Sequence, residues 1–287
     1  MSSTPTIHLI GAPTDVGASV RGAGMGPDAL RVADLPATLA RHGFGVVDAG
    51  NLAGPATPWS APSNGLRHLE EVVAWNRAVY SAVDGALGAG HVPLLMGGDH
   101  CLAVGSISAV ARHVRARGQQ LRVIWLDAHS DVNTEATSPS GNLHGMPVAC
   151  LLGHGPAALR GWSGEPAALD AQALRFIGIR SVDAQEKLAI RNLDLRVYDM
   201  RHIDENGMRV TMTEALADID ANTHLHVSFD LDCLDPADAP GVGTGVRGGP
   251  TYREMQLCME MIADTGRLGS LDVVELNPAL DVRNSTA

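Results

Sequence analysis

The stretch of this chain that decides its fold is VIWLDAHSD, residues 123–131. Its first four residues are apolar, which predicts a short strand buried on both faces, as in a parallel sheet. Charged residues seldom follow such a run directly unless something offsets their charge. In an extended chain every second side chain points to the same side, so Asp127, His129 and Asp131 converge on one point. The stretch therefore predicts a buried strand that ends in a set of metal ligands.

Two further stretches repeat this arrangement of an apolar run followed by polar residues. Residues 97–100 read GGDH after a run that begins near Val92, and residues 230–232 read DLD after LHVSF. A single Asp-x-Asp is common in ordinary turns, but three such clusters at predicted strand ends indicate one shared site. Together the clusters supply two imidazoles and four carboxylates as candidate metal ligands: His100, Asp127, His129, Asp131, Asp230 and Asp232.

The donor set indicates which metal this site holds. Oxygen and nitrogen ligands without a thiolate disfavour structural zinc and suit a harder ion of higher coordination number, such as Mn²⁺. Four carboxylates are neutralised by two divalent ions, and a bridging hydroxide then leaves the site slightly negative. The sequence therefore predicts two Mn²⁺ ions and a cationic substrate.

The remaining chain predicts one α/β domain over residues 1–287. Helical stretches lie between most of the short apolar strands, and residues 66–87 place their apolar side chains near one face. This alternation predicts a mostly parallel sheet that is covered by helices on both sides. The eight strand candidates begin near Ile7, Val46, Val92, Val123, Leu174, Leu195, Leu225 and Leu271.

Composition excludes several classes of partner and compartment. The 287 residues carry a net charge of −11, which argues against binding to nucleic acid or to an anionic membrane surface. Residues 1–6 lack the pattern of a signal peptide, and no apolar run has the length of a membrane span. The four cysteines are far apart and form no CxxC motif. These features predict a reduced, cytoplasmic setting.

Four blocks of sequence resemble a known family, the ureohydrolases, which include arginases and agmatinases. The blocks are GGDH, DAHSD, SFDLDCLDP and VVELNP, and the resemblance runs from Ile10 to Pro278. It implies a three-layer α/β/α fold around an eight-stranded parallel sheet. It also implies a dimanganese centre, held by the same six ligands, that hydrolyses a guanidinium to urea and an amine. A homo-oligomer, a trimer or a hexamer, is implied as well.

Two segments resemble the arginase branch of this family and indicate the substrate. The loop over residues 133–145 resembles the one that holds an amino-acid carboxylate, and the candidate contacts are Asn133, Ser138 and Ser140. The segment over residues 179–186 resembles the one that recognises the α-amino group, through Asp183 and Glu186. Each segment has a structural alternative: the first is a polar loop that caps its own turns, and the second is a helix-capping box.

The resemblance also implies roles in catalysis for four residues. Asp131 holds the metal-bridging hydroxide and passes its proton to the leaving amine, while Glu275 pairs with the guanidinium. His144 shuttles protons to bulk solvent, and Thr244 matches a position near Glu275. His144 and Thr244 have structural alternatives, since each also suits a turn.

The sequence therefore predicts the hydrolysis of L-arginine to L-ornithine and urea. The alternative is another ureohydrolase with the same metal centre, namely an agmatinase, a guanidinobutyrase or a formimidoylglutamase. A hypothesis of a different class is a metal-binding scaffold without activity. The complete ligand set together with Glu275 counts against that hypothesis.

Overall fold

The computed structural model describes residues 4–58, 65–165 and 167–287. All eight predicted strands are present and form one sheet in which every paired neighbour is parallel. The predicted α/β class and the eight-stranded sheet are thus confirmed. The strands are β1 (Thr6–Ala12), β2 (Gly45–Asn51), β3 (Val92–Gly97), β4 (Gln120–Leu126), β5 (Leu174–Ile179), β6 (Arg196–Asp199), β7 (Thr223–Asp230) and β8 (Leu268–Val274).

Strand order brings the polar clusters together. The sheet runs β2-β1-β3-β8-β7-β4-β5-β6, so the strands that precede the three clusters lie at its centre, with β8 among them. In the register of β4 and β7, Leu126 lies opposite Phe229, so Asp127 and Asp230 leave the sheet side by side. The carboxyl ends of parallel strands share one edge, which is where ligands bind in open α/β sheets.

Helices cover both faces of the sheet, which confirms the three-layer arrangement. Consecutive strand residues pack into different apolar clusters: Leu95 packs with helices α3 and α4, whereas Leu94 packs with α1. Burial on both faces explains why the strands read as continuous apolar runs. The helices are α1 (Gly26–Val32), α2 (Leu35–Arg41), α3 (Leu69–Gly88), α4 (Ala103–Ala116), α5 (Pro147–Leu151), α6 (Ala184–Asn192), α7 (Met200–Ala215) and α8 (Tyr252–Asp264).

Helix ends follow from local chemistry. The helix predicted over residues 66–87 begins only at Leu69, because His68 has a left-handed backbone with φ of 52°. Helix α8 begins at a capping box, in which Thr251 Oγ1 accepts from the backbone N–H of Glu254 and the Glu254 carboxylate accepts from the backbone N–H of Thr251. Among the described residues, no helix combines the length and apolarity that a membrane span requires.

Candidate metal centre

The three polar clusters meet at the carboxyl edge of the sheet. His100 lies in a short 3₁₀ turn after β3, Asp127 follows β4, and Asp230 is the last residue of β7. The Nδ1 atom of His100 lies 3.2 Å from Asp127 Oδ2, 3.3 Å from Asp131 Oδ2 and 3.2 Å from Asp230 Oδ2. One imidazole nitrogen and three carboxylate oxygens therefore surround one small volume.

A second group of ligands adjoins the first and shares Asp127 with it. His129 Nδ1 lies 3.5 Å from Asp127 Oδ1 and 3.1 Å from Asp232 Oδ2. Because Asp127 offers Oδ2 to the first group and Oδ1 to the second, its carboxylate lies between two potential ion positions. The structure thus brings all six sequence-derived ligand candidates into one binuclear arrangement.

Two features indicate that these six residues are suited to binding divalent cations. His100 Nδ1 is buried and has no hydrogen-bond partner within the described residues, although three carboxylates lie near it. Burial, together with the charge of Asp127, raises the pKa of Asp131 well above its usual value. Burial and the charge of Asp232 do the same for the pKa of Asp230. Buried carboxylates that repel one another are stabilised by divalent cations.

Two residues that the sequence reasoning missed orient these ligands. Ser228 Oγ lies 2.9 Å from His100 Nε2, and a proton on Nε2 leaves the Nδ1 lone pair for a metal. The ring of Trp125 stacks on His100 at 4.1 Å, and its Nε1 donates to Asp127 Oδ2 at 2.9 Å. Ser228 lies two positions before Asp230, and Trp125 lies two positions before Asp127. The alternation of side chains in an extended chain could therefore have identified both residues from the sequence.

Glu275 follows β8 and is held by the GGDH segment. Its backbone has φ of 64°, in the left-handed region, and its N–H donates to Gly98 O at 2.8 Å. Gly98 itself lies so close to Thr14 that a Cβ atom would be 1.8 Å from Thr14 O. The Glu275 Oε1 atom accepts from His100 N at 2.9 Å. Backbone contacts thus hold a strained residue in place beside the metal ligands.

His144 forms an ion pair with Glu275 at the mouth of the site. Its Nδ1 donates to Glu275 Oε1 at 3.1 Å. Burial opposes both charges, but the contact prevails, so the pKa of His144 is raised and the pKa of Glu275 is lowered. Among the described residues, no hydrogen bond reaches Glu275 Oε2, and that atom is available to a ligand.

Asp99 is a buried acid beside the site, to which the sequence reasoning assigned no role. It accepts from Gly17 N at 2.8 Å and from Cys101 N at 3.0 Å, through different oxygens. Burial raises the pKa of Asp99 to about 6. Gly17 O in turn accepts from His144 N at 3.2 Å, so Asp99 ties the segment around Gly17, against which His144 packs. The signal for Asp99 was its place in the GGDH block.

The candidate substrate loop lines one cleft with the metal ligands. Ser138 Oγ accepts from Gly141 N, and Ser140 Oγ accepts from Asn142 N, so both serines cap turns as the structural alternative predicts. Their hydroxyl protons have no acceptor within the described residues, so they remain free to donate. The cleft is lined by His100, His129, Asp131, Asn133, Ser138, Pro139, Ser140, Asn142, His144, Gly145, Asp183, Glu186, Asp230 and Thr244.

Asp183 and Glu186 form the helix-capping box that the sequence offered as an alternative to substrate contact. Asp183 Oδ1 accepts from the backbone N–H groups at the start of α6, and its Oδ2 accepts from Asn133 Nδ2 at 2.9 Å. Glu186 accepts from Asp183 N at 3.0 Å and from Ser130 Oγ at 2.9 Å, and burial raises its pKa. Both oxygens of each carboxylate therefore have partners in the protein, and both residues border the cleft.

Thr244 contacts a metal-ligand candidate. Its Oγ1 donates to Asp232 Oδ2 at 2.9 Å, and Asp232 Oδ1 accepts from Ala128 N at 3.1 Å. The resemblance placed Thr244 near Glu275, and its only hydrogen bond to a described residue is to Asp232. The hydroxyl therefore orients a carboxylate of the second ligand group.

Comparisons with known proteins identify close relatives of the chain. The sequence model of the arginase family matches residues 5–287. The arginase of Brevibacillus brevis is 44% identical over 282 residues, covering 98% of this chain and 93% of that protein. The native structure of arginase from Bacillus caldovelox aligns with a TM-score of 0.91 at 42% identity, covering 99% of this chain and 94% of that one. A hypothetical agmatinase from Burkholderia thailandensis aligns with a TM-score of 0.72 at 25% identity, covering 99% and 81%.

Proposed function

The chain belongs to the arginase family, and we propose that it hydrolyses L-arginine to L-ornithine and urea at a centre of two Mn²⁺ ions. One observation carries this proposal. Two ligand groups that share Asp127 adjoin a cleft that is also lined by polar groups suited to an α-carboxylate and an α-amino group. Arginine has both matching ends: a guanidinium that would bind at the metal centre and an amino-acid end that would bind to these polar groups.

The agmatinase alternative is not favoured. Agmatine lacks the α-carboxylate, so it has no use for the free hydroxyl donors of Ser138 and Ser140. The curated arginase relative is also 44% identical to this chain, against 25% for the agmatinase structure. The same polar loop and the complete ligand set argue against an inactive scaffold.

A guanidinium is a resonance-stabilised cation and needs a strong nucleophile. Divalent ions, when bound by the two ligand groups, supply it by lowering the pKa of a water. Asp131 is proposed to accept a hydrogen bond from this nucleophile and to carry its proton to the leaving amine. The placement supports this role: Asp131 borders the cleft, and its backbone oxygen, which accepts from Val148 N at 3.1 Å, secures it to α5.

Glu275 is proposed to bind the guanidinium and His144 to exchange protons with solvent. The Oε1 atom of Glu275 already accepts from His100 N and from His144, so only Oε2 is free at once. A guanidinium that pairs with both oxygens must displace His144 from Oε1. Substrate binding would thereby release the imidazole, which lies at the mouth of the cleft, to move a proton.

The amino-acid end of arginine is proposed to bind across the cleft from these residues. Asn133, Ser138 and Ser140 donate to the α-carboxylate, and Asp183 accepts from the α-amino group. Glu186 borders the same cleft and holds Asp183 in place by accepting from Asp183 N at 3.0 Å. Thr244 holds Asp232. The family resemblance further supports a homo-oligomer, a trimer or hexamer, in the cytoplasm.

The first prediction concerns the metal and tests the proposed function. The purified chain, loaded with Mn²⁺ and desalted gently, is expected to hold close to two ions, because its ligands form two groups. It should release urea and ornithine from L-arginine, lose this activity on chelation and regain it with Mn²⁺. Elemental analysis and a urea assay measure both. One zinc per chain, with no gain from manganese, would contradict the proposal.

The second prediction separates guanidinium binding from proton transfer. Glu275→Gln is expected to keep both ions and to lose roughly 10²- to 10³-fold in kcat/KM, because it removes charge from the guanidinium partner alone. His144→Asn is expected to keep the ions and KM but to lower kcat about 10²-fold, with partial rescue by added imidazole. Metal content and steady-state kinetics test both variants. Loss of metal from Glu275→Gln would show that this residue serves the ligands instead.

A further inference from the structure

Arg180 contacts carbonyl oxygens with every nitrogen of its guanidinium. The residue follows β5 directly, and its Nε, Nη1 and Nη2 atoms donate over distances of 2.7–3.1 Å. No carboxylate accepts a hydrogen bond from it among the described residues. The five acceptors are the carbonyl oxygens of Gly178, Asp232, Cys233, Leu234 and Val246.

Four of these five carbonyls belong to segments that build the second ligand group. Three of them lie in the turn over residues 232–234, which carries the candidate ligand Asp232. Val246 lies in the loop that carries Thr244, and Thr244 in turn holds the Asp232 carboxylate. The backbone N–H groups of Arg180 and Ser181 both donate to Ala128 O at 2.9 Å, between the ligands Asp127 and His129. The guanidinium thus joins two loops of the second group, and the backbone of Arg180 and Ser181 joins them to the segment between Asp127 and His129.

The packing around the guanidinium is close. A Cβ atom at Gly249 would lie 2.6 Å from Arg180 Nη2 and 2.7 Å from Cys233 O. No side chain fits at this position while Arg180 occupies its place. The fork of donors in arginine suits several acceptors at fixed positions, whereas lysine offers a single ammonium group.

We propose that Arg180 is a positioning residue that holds Asp232 in place and thereby retains the ion bound by Asp127, His129 and Asp232. This inference rests on the proposed binuclear centre. Carbonyl groups that converge on one another repel and lose hydrogen bonds when their shared donor is removed, so the turn over residues 232–234 would move. Of the first ligand group, around His100, only Asp230 contacts that turn, where its Oδ1 accepts from Asp232 N at 2.7 Å. His100, Asp127 and Asp131 lie on other segments, so the larger effect is expected at the second group.

Arg180→Lys tests the inference through metal content. After Mn²⁺ loading and dialysis, the variant is expected to retain about one ion per chain in elemental analysis, since one ligand group is left intact. The Mn²⁺ concentration for half-maximal urea release should rise roughly tenfold or more, as for other residues that orient metal ligands. The matched control is Arg175→Lys. Arg175 is buried on the same strand and donates to Gln172 O, Leu174 O and Asp218 Oδ2, away from the site.

A second variant keeps the test decisive if Arg180→Lys fails to fold. Gly249→Ala leaves the arginine in the chain but places a Cβ atom 2.6 Å from its Nη2 and 2.7 Å from Cys233 O. It therefore disrupts the junction between the guanidinium and the turn over residues 232–234, and the same loss of one ion is expected. The inference is overturned if either folded variant keeps two ions with the metal dependence of the wild type. It is also overturned if Arg175→Lys loses as much metal, since the effect would then reflect general destabilisation. Metal content is measured without substrate, so a wild type inactive on arginine would refute only the proposed function.

Discussion

Asp127→Ala is expected to lose both metal ions and to lower urea release by several orders of magnitude. Asp127 is the one carboxylate shared by the two ligand groups, with Oδ2 3.2 Å from His100 Nδ1 and Oδ1 3.5 Å from His129 Nδ1. Its removal takes a negative charge from both ion positions at once. Without the ions no strong nucleophile forms at neutral pH. Elemental analysis and the urea assay, on protein shown to be folded by circular dichroism, measure the effect.

Asp272→Asn provides a matched control for this substitution. Asp272 is as deeply buried as Asp127 and lies on β8, two strands from β4 in the sheet, where it accepts from Ser106 Oγ at 2.6 Å. It belongs to neither ligand group. Its replacement should lower stability and leave the metal content near two ions. Retention of both ions by Asp127→Ala would contradict the shared-ligand interpretation.

The wild-type enzyme is expected to prefer L-arginine over agmatine by ~10⁴-fold in kcat/KM where the polar groups are desolvated, and by less where water reaches them. Both substrates carry the same guanidinium and aliphatic chain, so the metal centre does not distinguish them. Discrimination comes from the side of the cleft that holds Asn133, Ser138, Ser140 and Asp183. Urea release from a panel of guanidino compounds measures it. Equal turnover of agmatine or 4-guanidinobutyrate would refute the assignment of arginine as the substrate.

Substitutions at Asp183 locate the source of this preference. Asp183→Asn keeps an oxygen acceptor for the N-terminus of α6 but removes the charge, so KM for arginine should rise while agmatine hydrolysis changes little. Asp183→Ala should do the same and also lose the helix cap, at a cost of about 1 kcal/mol in the free energy of unfolding. The comparison separates recognition of the amino group from stability, because Asp183 serves both.

The fold and the ligand candidates were accessible from sequence because their signals are local. The inner strands, such as β3, β4 and β5, are largely buried on both faces and read as apolar runs, so their positions did not depend on knowledge of their neighbours. The spacing in DAHSD and DLD places alternate side chains on one side of an extended chain. These rules require only the residues themselves, and the structure brings all six ligand candidates together.

Contacts between segments that are far apart in the chain could not be predicted from the sequence. Arg180 and Asp230, the last residue of β7, are separated by 49 residues. No pattern in this stretch predicts that the guanidinium contacts the carbonyls of residues 232–234. The Glu275–His144 ion pair joins residues far apart in the chain, and it occupies an oxygen that the sequence left open for substrate. Such contacts depend on the conformations of loops, which hydrophobic periodicity does not predict.

The sequence by itself determined the eight strands, the class of sheet and the candidate metal ligands at the strand ends. Tertiary structure alone decided that Asp127 is shared between two ligand groups, that Ser228 and Trp125 orient the ligands, and that Asp183 borders the same cleft as the ligands. The physical reason is the distance along the chain over which each interaction acts. Burial and backbone periodicity act between near neighbours in the chain, whereas strand order and loop packing set distances of a few ångströms between residues more than a hundred positions apart.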